Sequence, residues 1–319
     1  MNTAAVRPLV AADLDEVVEI NRQIMGRPRR AFFDKRLTSA LKDPGHHIQV
    51  GADTEGEVSG YLLARIIEGE FGRGSAVILE DIGVAQEHDH HGVGNSLLAG
   101  LDEVMRQKGL DTIQTNAAWT AHDLLRFFDH QGFSMAPRHI VECDTALANQ
   151  TTNDFVDDDD TNSRNGSGGL ARDRVYVRLM YDTDAAAIGA IDRALTGTDR
   201  SAYLNRAVDE ALNDSSVRVS LVAEIDGFVC GFIMARVDFG DFGQTDPVAV
   251  IDTIGVKPDQ GHHGIGAALL SQLLMNLSGL HIEHVRTEIS RENFDLLAFL
   301  YTHGFAPSDQ LALERRRSD

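Results

Sequence analysis

Hydrophobic and polar positions run along this chain with two periods, and the periods succeed one another in the same order twice. In the first half, 6-VRPLV-10 reads as a strand, an amphipathic helix starts near Asp13, and a second helix covers about Arg29 to Leu41. Three strand-like segments follow, 47-HIQVGAD-53, 58-VSGYLLARII-67 and 76-AVILEDIGV-84, separated by glycine-containing turns. A long helix runs from Val93 to Lys108 and is stopped by Gly109. The half ends with a strand at 111-DTIQTNAAW-119, a helix closing at Gly132, and a strand near 138-RHIVECD-144. The order is β-α-α-β-β-β-α-β-α-β, and it recurs from Val175 to Arg317. Such an order predicts a mixed α/β (α+β) sheet in each half, not the strict βαβ alternation of a doubly wound fold.

The two halves also match residue by residue. At an offset of 171, 6-VRPLVAADLDEVVEINR-22 lies on 177-VRLMYDTDAAAIGAIDR-193, and 58-VSGYLLARIIEGEFG-72 on 229-VCGFIMARVDFGDFG-243. One inserted residue shifts the offset to 172, where 82-IGV-84 meets 254-IGV-256, 91-HGVG-94 meets 263-HGIG-266, and 124-LLRFFDHQGF-133 meets 296-LLAFLYTHGF-305. A constant register broken by one indel marks a duplicated domain. The intervening 149-NQTTNDFVDDDDTNSRNGSGGLARD-173 is polar and rich in Gly, Ser, Asn and Asp, and reads as a flexible acidic linker. The expected units are residues 1–148, the linker 149–173, and residues 174–319.

Composition narrows the function classes. A length of 319 residues with 43% hydrophobic content suits two globular cores. A formal charge of −20 argues against nucleic acid as a partner, because phosphate contacts need clustered Lys and Arg. No apolar run reaches the ~20 residues of a membrane span, and MNTAAVRPLV lacks the apolar core of a signal peptide. Cys143 and Cys230, one in each half, sit in strand-like text as reduced core residues. The expectation is a cytoplasmic protein, monomer or homodimer, without nucleic-acid or membrane partners.

Chemistry concentrates at 254-IGVKPDQGHHGIGAALL-270. A strand ends at Val256, and a loop enters a helix whose first turn holds Gly264 and Gly266. The first amides of a helix lack intrahelical acceptors and carry partial positive charge, and glycine lets an anion approach them closely. Leu269 occupies the third glycine of a dinucleotide fingerprint, and the Gly-Lys-Ser/Thr of a Walker A loop is absent. Either a diphosphate site or a ligand-free glycine-rich helix entry fits the short motif.

The pattern over Val256, Pro258, Gly261, His262, His263, Gly264, Ile265, Gly266, Leu269 and Leu270 resembles the acetyl-CoA motif of the GCN5-related N-acetyltransferases (GNAT). So does 293-NFDLLAFLYTHGF-305, which resembles a second element of that family, and the element order is the family's. The whole chain thus looks like a tandem acetyltransferase. The resemblance implies acetyl-CoA as co-substrate, its pantetheine arm along Ile254, Gly255 and Val256, and its diphosphate over the loop from His262 to Ala267, with Gly261 also among the cofactor-binding residues. Asn293 would reach toward the pantetheine. An amine on a small molecule or peptide would be the acceptor, and no metal is implied; no Cys/His spacing here supplies zinc ligands.

Both halves lack the Arg/Gln of the family's motif, with Gly261 in one and Asp89 in the other. Ala121 replaces Asn293 in the first half, so the second half is the one expected to bind coenzyme. Paired His90/His91 and His262/His263 stand where they can donate to phosphate or simply face solvent. Glu80 and Asp252, equivalent at the 172 offset, are candidate bases for the amine proton, acting through water, or surface carboxylates. Leu300 and Phe128 occupy the family's acid-tyrosine position, leaving Tyr301, one residue along, as candidate acid. Arg29 and Arg200 match at the second-helix entry and can grip an acceptor carboxylate or cap a turn; Trp119 is expected to pack. The alternative to an N-acetyltransferase is a non-catalytic acyl-CoA-binding or regulatory module on the same scaffold.

Overall fold

A computed structural model describes residues 4–67, 75–146, 175–209, 212, 217–238, 247–261 and 263–317. The expected linker 149–173, the turn 239–243 and His262 lie outside the described residues. The first half forms β1 (Ala5–Pro8), α1 (Leu14–Met25), α2 (Arg30–Lys42), β2 (His47–Thr54), β3 (Glu57–Ile67), β4 (Ala76–Val84), α3 (Val93–Lys108), β5 (Thr112–Ala118), α4 (His122–His130), β6 (Ser134–Met135) and β7 (Arg138–Asp144). The second forms β8 (Tyr176–Leu179), α5 (Ala185–Thr196), α6 (Ser201–Asp209), β9 (Leu221–Ile225), β10 (Phe228–Asp238), β11 (Val248–Val256), α7 (Ile265–Gly279), β12 (His284–Ser290), α8 (Phe294–Thr302), β13 (Ala306–Pro307) and β14 (Gln310–Arg316). Each half builds a layered sheet. In the first, Leu62, Ala64 and Leu79 pack under α3, while Tyr61 and Leu63 meet α1 and α2 on the other face. The alternation of β3 supplies both cores because successive side chains point to opposite faces.

The halves do not close on themselves, as the repeated element order suggests they should. The sheet orders are β1-β2-β3-β4-β5-β14-β6 and β13-β7-β12-β11-β10-β9-β8. The last strand of each half therefore crosses into the other half's sheet. β7 pairs antiparallel with β12, with Val141 opposite Thr287, and β14 pairs with β5, with Leu313 opposite Thr115. A physical reason lies in the connections. Only Ala136 and Pro137 separate β6 from β7, and only Ser308 and Asp309 separate β13 from β14. A two-residue hairpin needs a positive φ in its turn, and none of these four residues has one. The chain runs on instead of folding back.

The crossing is bonded symmetrically. Ala136 N–H donates to the Ala312 carbonyl at 2.8 Å, and Ser308 N–H to the Ile140 carbonyl at 2.9 Å. Arg138, 5% exposed at its side chain, donates to Glu288 on β12 at 2.7 Å and lies 3.4 Å from Glu314 on β14, tying both exchanged strands together. Val141 and Cys143 of the first half join the core of the second, and Leu313 joins the core of the first. Burying such side chains stabilises by roughly 1.5–3 kcal/mol each. Both cysteines are buried and unpaired by disulfide, and burial pushes the Cys143 thiol up to about 11.

Candidate functional site

Strands β11 and β12 run parallel for three residues and then separate. Their pairing covers Val248, Ala249 and Val250, while β11 continues to Val256. The β11 edge from Thr253 to Val256 thus faces a fork. Thr287 Oγ1 donates to the Ile251 carbonyl at 3.0 Å where the fork opens. β4 and β5 fork identically after Ile78, with Thr115 Oγ1 on the Leu79 carbonyl at 3.0 Å. Sequence reasoning missed these threonines, although their identity at the 172 offset was a visible signal. An apolar cavity sits in the fork of the second half, lined by Ile251, Ile254, Thr287, Leu296 and Leu300 among others.

Asp252 and Glu80 both occupy a β-bulge. On β10, Met234 pairs with Thr253 and Ala235 with Ile251, which leaves Asp252 without an opposite residue. On β3, Leu63 pairs with Asp81 and Ala64 with Leu79, which leaves Glu80 in the same position. The extra residue puts two consecutive side chains on the face away from α3 or α7. There Glu80 is 3% exposed and held by Arg36 at 2.5 Å and Arg65 at 3.1 Å. Asp252 pairs with Arg236, the equivalent of Arg65, but Ala207 stands at the position of Arg36. The second-half carboxylate keeps one of the two arginines and is the less enclosed, at 18% exposed.

The helix start takes the form its glycines require. Gly264 caps α7 with φ 75° and Gly92 caps α3 with φ 83°, both left-handed, a conformation glycine adopts without a steric penalty. The first intrahelical bond runs from Ala268 N–H to the Gly264 carbonyl, and no side chain caps the helix. The amides of Ile265, Gly266 and Ala267 therefore have no acceptor within the helix. A Cβ added to Gly264 would meet nothing within 4 Å, so the space over this turn is open. These residues fit a diphosphate. Gly255 serves packing: a Cβ there would meet the Phe232 ring at 2.8 Å, and Gly231 likewise brings Ile265 of α7 onto β10.

Other candidates are placed less favourably. Asn293 caps α8, its Oδ1 accepting from Leu296 N–H at 3.2 Å, so that oxygen is already used at the rim of the fork. Leu300 faces the cavity, whereas Tyr301 is 43% exposed on the outer side of α8 and does not line it. His263 is exposed, as are His90 and His91. Trp119 does not pack as expected; it is 62% exposed. Arg29 and Arg200 do not present to an acceptor. Arg29 is buried on Asp81 at 2.9 Å, and Arg200 binds Asp192 through Nε at 3.0 Å. Among the described residues no group of three His, Cys, Asp or Glu is placed to hold a metal, and no helix is long and apolar enough to cross a membrane.

Comparison with known proteins identifies the fold and the family. No curated protein sequence matches the chain. Among solved structures, a tandem GNAT protein from the clavulanic acid biosynthesis pathway superposes with TM-score 0.64 at 17% identity, covering 99% of both chains. The GCN5-related glucosamine N-acetyltransferase region of a fungal multi-domain GH3 β-N-acetylglucosaminidase gives TM-score 0.64 at 14% identity, covering 98% of this chain and 38% of that one. A GCN5-related N-acetyltransferase from Sphaerobacter thermophilus gives 0.58 at 14% identity, covering 99% and 96%. At these identities the likeness is one of fold. The sequence model of the Acetyltransferase (GNAT) family, however, matches residues 14–133 and again 189–305, taking in both forks and both helix starts. The chain is a tandem member of the GNAT acetyltransferase family.

Proposed function

We propose that this chain is an acetyl-CoA-dependent N-acetyltransferase acting on a primary amine, with its second half holding the coenzyme. The observation that carries the proposal is the open β11 edge leading through one loop to a glycine-capped helix start. Backbone of Ile254, Gly255 and Val256 lies along the fork, where an extended arm can pair as an added strand. The amides of Ile265, Gly266 and Ala267, with the loop of Gly261, His262 and His263, meet the diphosphate at the positive end of α7. Acetyl-CoA supplies the activated thioester. A carboxylate oxygen of Asp252, oriented by Arg236, takes the amine proton through water. With Leu300 facing the fork and Tyr301 outside it, the leaving sulfur is protonated by water or by the amine itself.

Calorimetry with acetyl-CoA and a thiol-release assay over a panel of amines test the proposal. Binding in the micromolar range and release with at least one amine are expected. Absence of binding overturns the coenzyme site. Binding without release for any amine favours the second reading, a non-catalytic acyl-CoA-binding module, which the apolar Leu300 and the arginine-held carboxylates support.

A further inference from the structure

A second cavity lies between the halves, and its charge is opposite to that of the chain. Its volume is about 360 Å³ and it opens to solvent. The net charge of the protein is −20, yet Lys35, Arg36, Lys42 and Arg65 of the first half and Arg206 and Arg236 of the second all line this cleft. Asp43 and Asp209 oppose them in the described lining, and Glu80 and Asp252 pair with Arg36, Arg65 and Arg236 from behind it, so six cations stand against four carboxylates. The arrangement is duplicated: Lys35 is equivalent to Arg206, and Arg65 to Arg236, at the 171 offset. Each half thus contributes matched cations to one cleft. A concave surface lined mainly by one sign focuses its field on a ligand of the other sign. The same field acts on His47, another lining residue, which is pushed down to about 4, first by burial and then by Arg36 and Arg65.

The cleft adjoins the bulges. Arg36 and Arg65 bind Glu80, and Arg236 binds Asp252, so the cations of the cleft touch the carboxylates beside the forks. We infer that the amine acceptor is itself anionic: a small molecule bearing an amine together with a phosphate or two or more carboxylates, its negative groups held across the two halves and its amine directed past Arg236 toward Asp252. This assignment rests on the acyl-transfer reading. It adds a substrate class, and it explains why two copies are kept on one chain, since neither half alone assembles the cleft.

The test uses the full chain and three amines: phosphoethanolamine, glutamate and spermidine. Acetyl-CoA binding is measured first by calorimetry. Steady-state transfer is then compared between wild type and a Lys35→Gln/Arg206→Gln double variant, which removes one cation per half without touching Glu80 or Asp252. The anionic amines are expected to be preferred over spermidine. In the double variant their KM should rise about tenfold, with kcat within twofold and the acetyl-CoA Kd unchanged. The charge-keeping Lys35→Arg/Arg206→Lys variant should restore KM. Intact acetyl-CoA binding with spermidine preferred, or with KM unmoved in the double variant, overturns the anionic acceptor alone. Failure to bind acetyl-CoA overturns the acyl-transfer reading beneath it.

Discussion

The two halves solve one problem, neutralising an arginine at the entry of the second helix, in two ways. In the first half Arg29 meets Asp81 on β4 at 2.9 Å, with the Tyr61 hydroxyl 3.3 Å from the same carboxylate and Asn21 donating to that hydroxyl at 3.0 Å. In the second half the equivalents of Asp81, Tyr61 and Asn21 are Thr253, Phe232 and Asp192. The carboxylate has moved from the strand to the helix, and Arg200 engages it with two nitrogens, where Arg29 uses one and leaves Nε and Nη1 without a partner. Three linked substitutions preserve the neutralisation while clearing charge from the strand beside the fork. The first half keeps Glu80, Asp81, Arg29, Arg36 and Arg65 there as a packed ionic network. The second retains only Asp252 and Arg236 at the matching strand positions, which suits the proton exchange proposed for Asp252.

The largest effect expected follows from removing one member of such a pair. Asp81→Thr leaves Arg29 buried and unneutralised, at a cost of about 3–5 kcal/mol. Adding Asn21→Asp restores a carboxylate where the second half carries Asp192 and should recover most of that loss in urea denaturation. A double variant no more stable than Asp81→Thr would show that the two networks are not interchangeable. Next in size is the pair of bulge carboxylates. Asp252→Asn should lower turnover about 100-fold, equivalent to about 2.7 kcal/mol, with acetyl-CoA binding unchanged, whereas Glu80→Gln should cost stability and spare turnover. The reverse pattern would move the active fork to the first half.

Much of this was legible in the sequence, and the remainder has physical causes. Periodicity located the strands and helices because each buries one face, and the repeated register exposed the duplication. Periodicity says that 138-RHIVECD-144 needs a neighbouring strand but not which one, and β7 and β14 meet equivalent partners in either half. The exchange is therefore invisible in the pattern; it depends on the Ala136–Pro137 and Ser308–Asp309 links, which carry no positive φ. The bulge at Asp252 was likewise hidden, since a strand with one extra residue reads as an ordinary strand. Adjacency alone points to Tyr301, and helical geometry turns it away from the cavity that Leu300 lines.

A smaller effect separates the two helix starts. Gly264→Val places a β-branched residue at φ 75° and a side chain in the open space over the α7 amides. Acetyl-CoA affinity should fall at least tenfold, about 1.4 kcal/mol. Gly92→Val imposes the same backbone strain at φ 83° and should leave affinity within twofold. Equal losses from both would mean that both halves hold coenzyme or that strain alone is responsible.

The smallest effect lies where the copies carry His47 and Arg218. Arg218 is exposed and donates to the Leu212 carbonyl at 3.1 Å. His47 sits in the basic cleft, and its folded value of about 4 lies below the ordinary 6.5. The unfolded chain therefore takes up a proton first as pH falls from 6.5 towards 4, and the stability this position contributes above 6.5 is lost across that window. With allowance for partial solvent access the loss should be about 1 kcal/mol between pH 6.5 and 5. In His47→Gln that part of the pH slope should vanish, while a substitution at Arg218 should not change it. If the cleft takes anions, phosphoethanolamine should raise the His47 titration midpoint in NMR, because a bound negative charge offsets the field of Arg36 and Arg65. An unmoved midpoint at saturating phosphoethanolamine would separate the field at His47 from any ligand in the cleft.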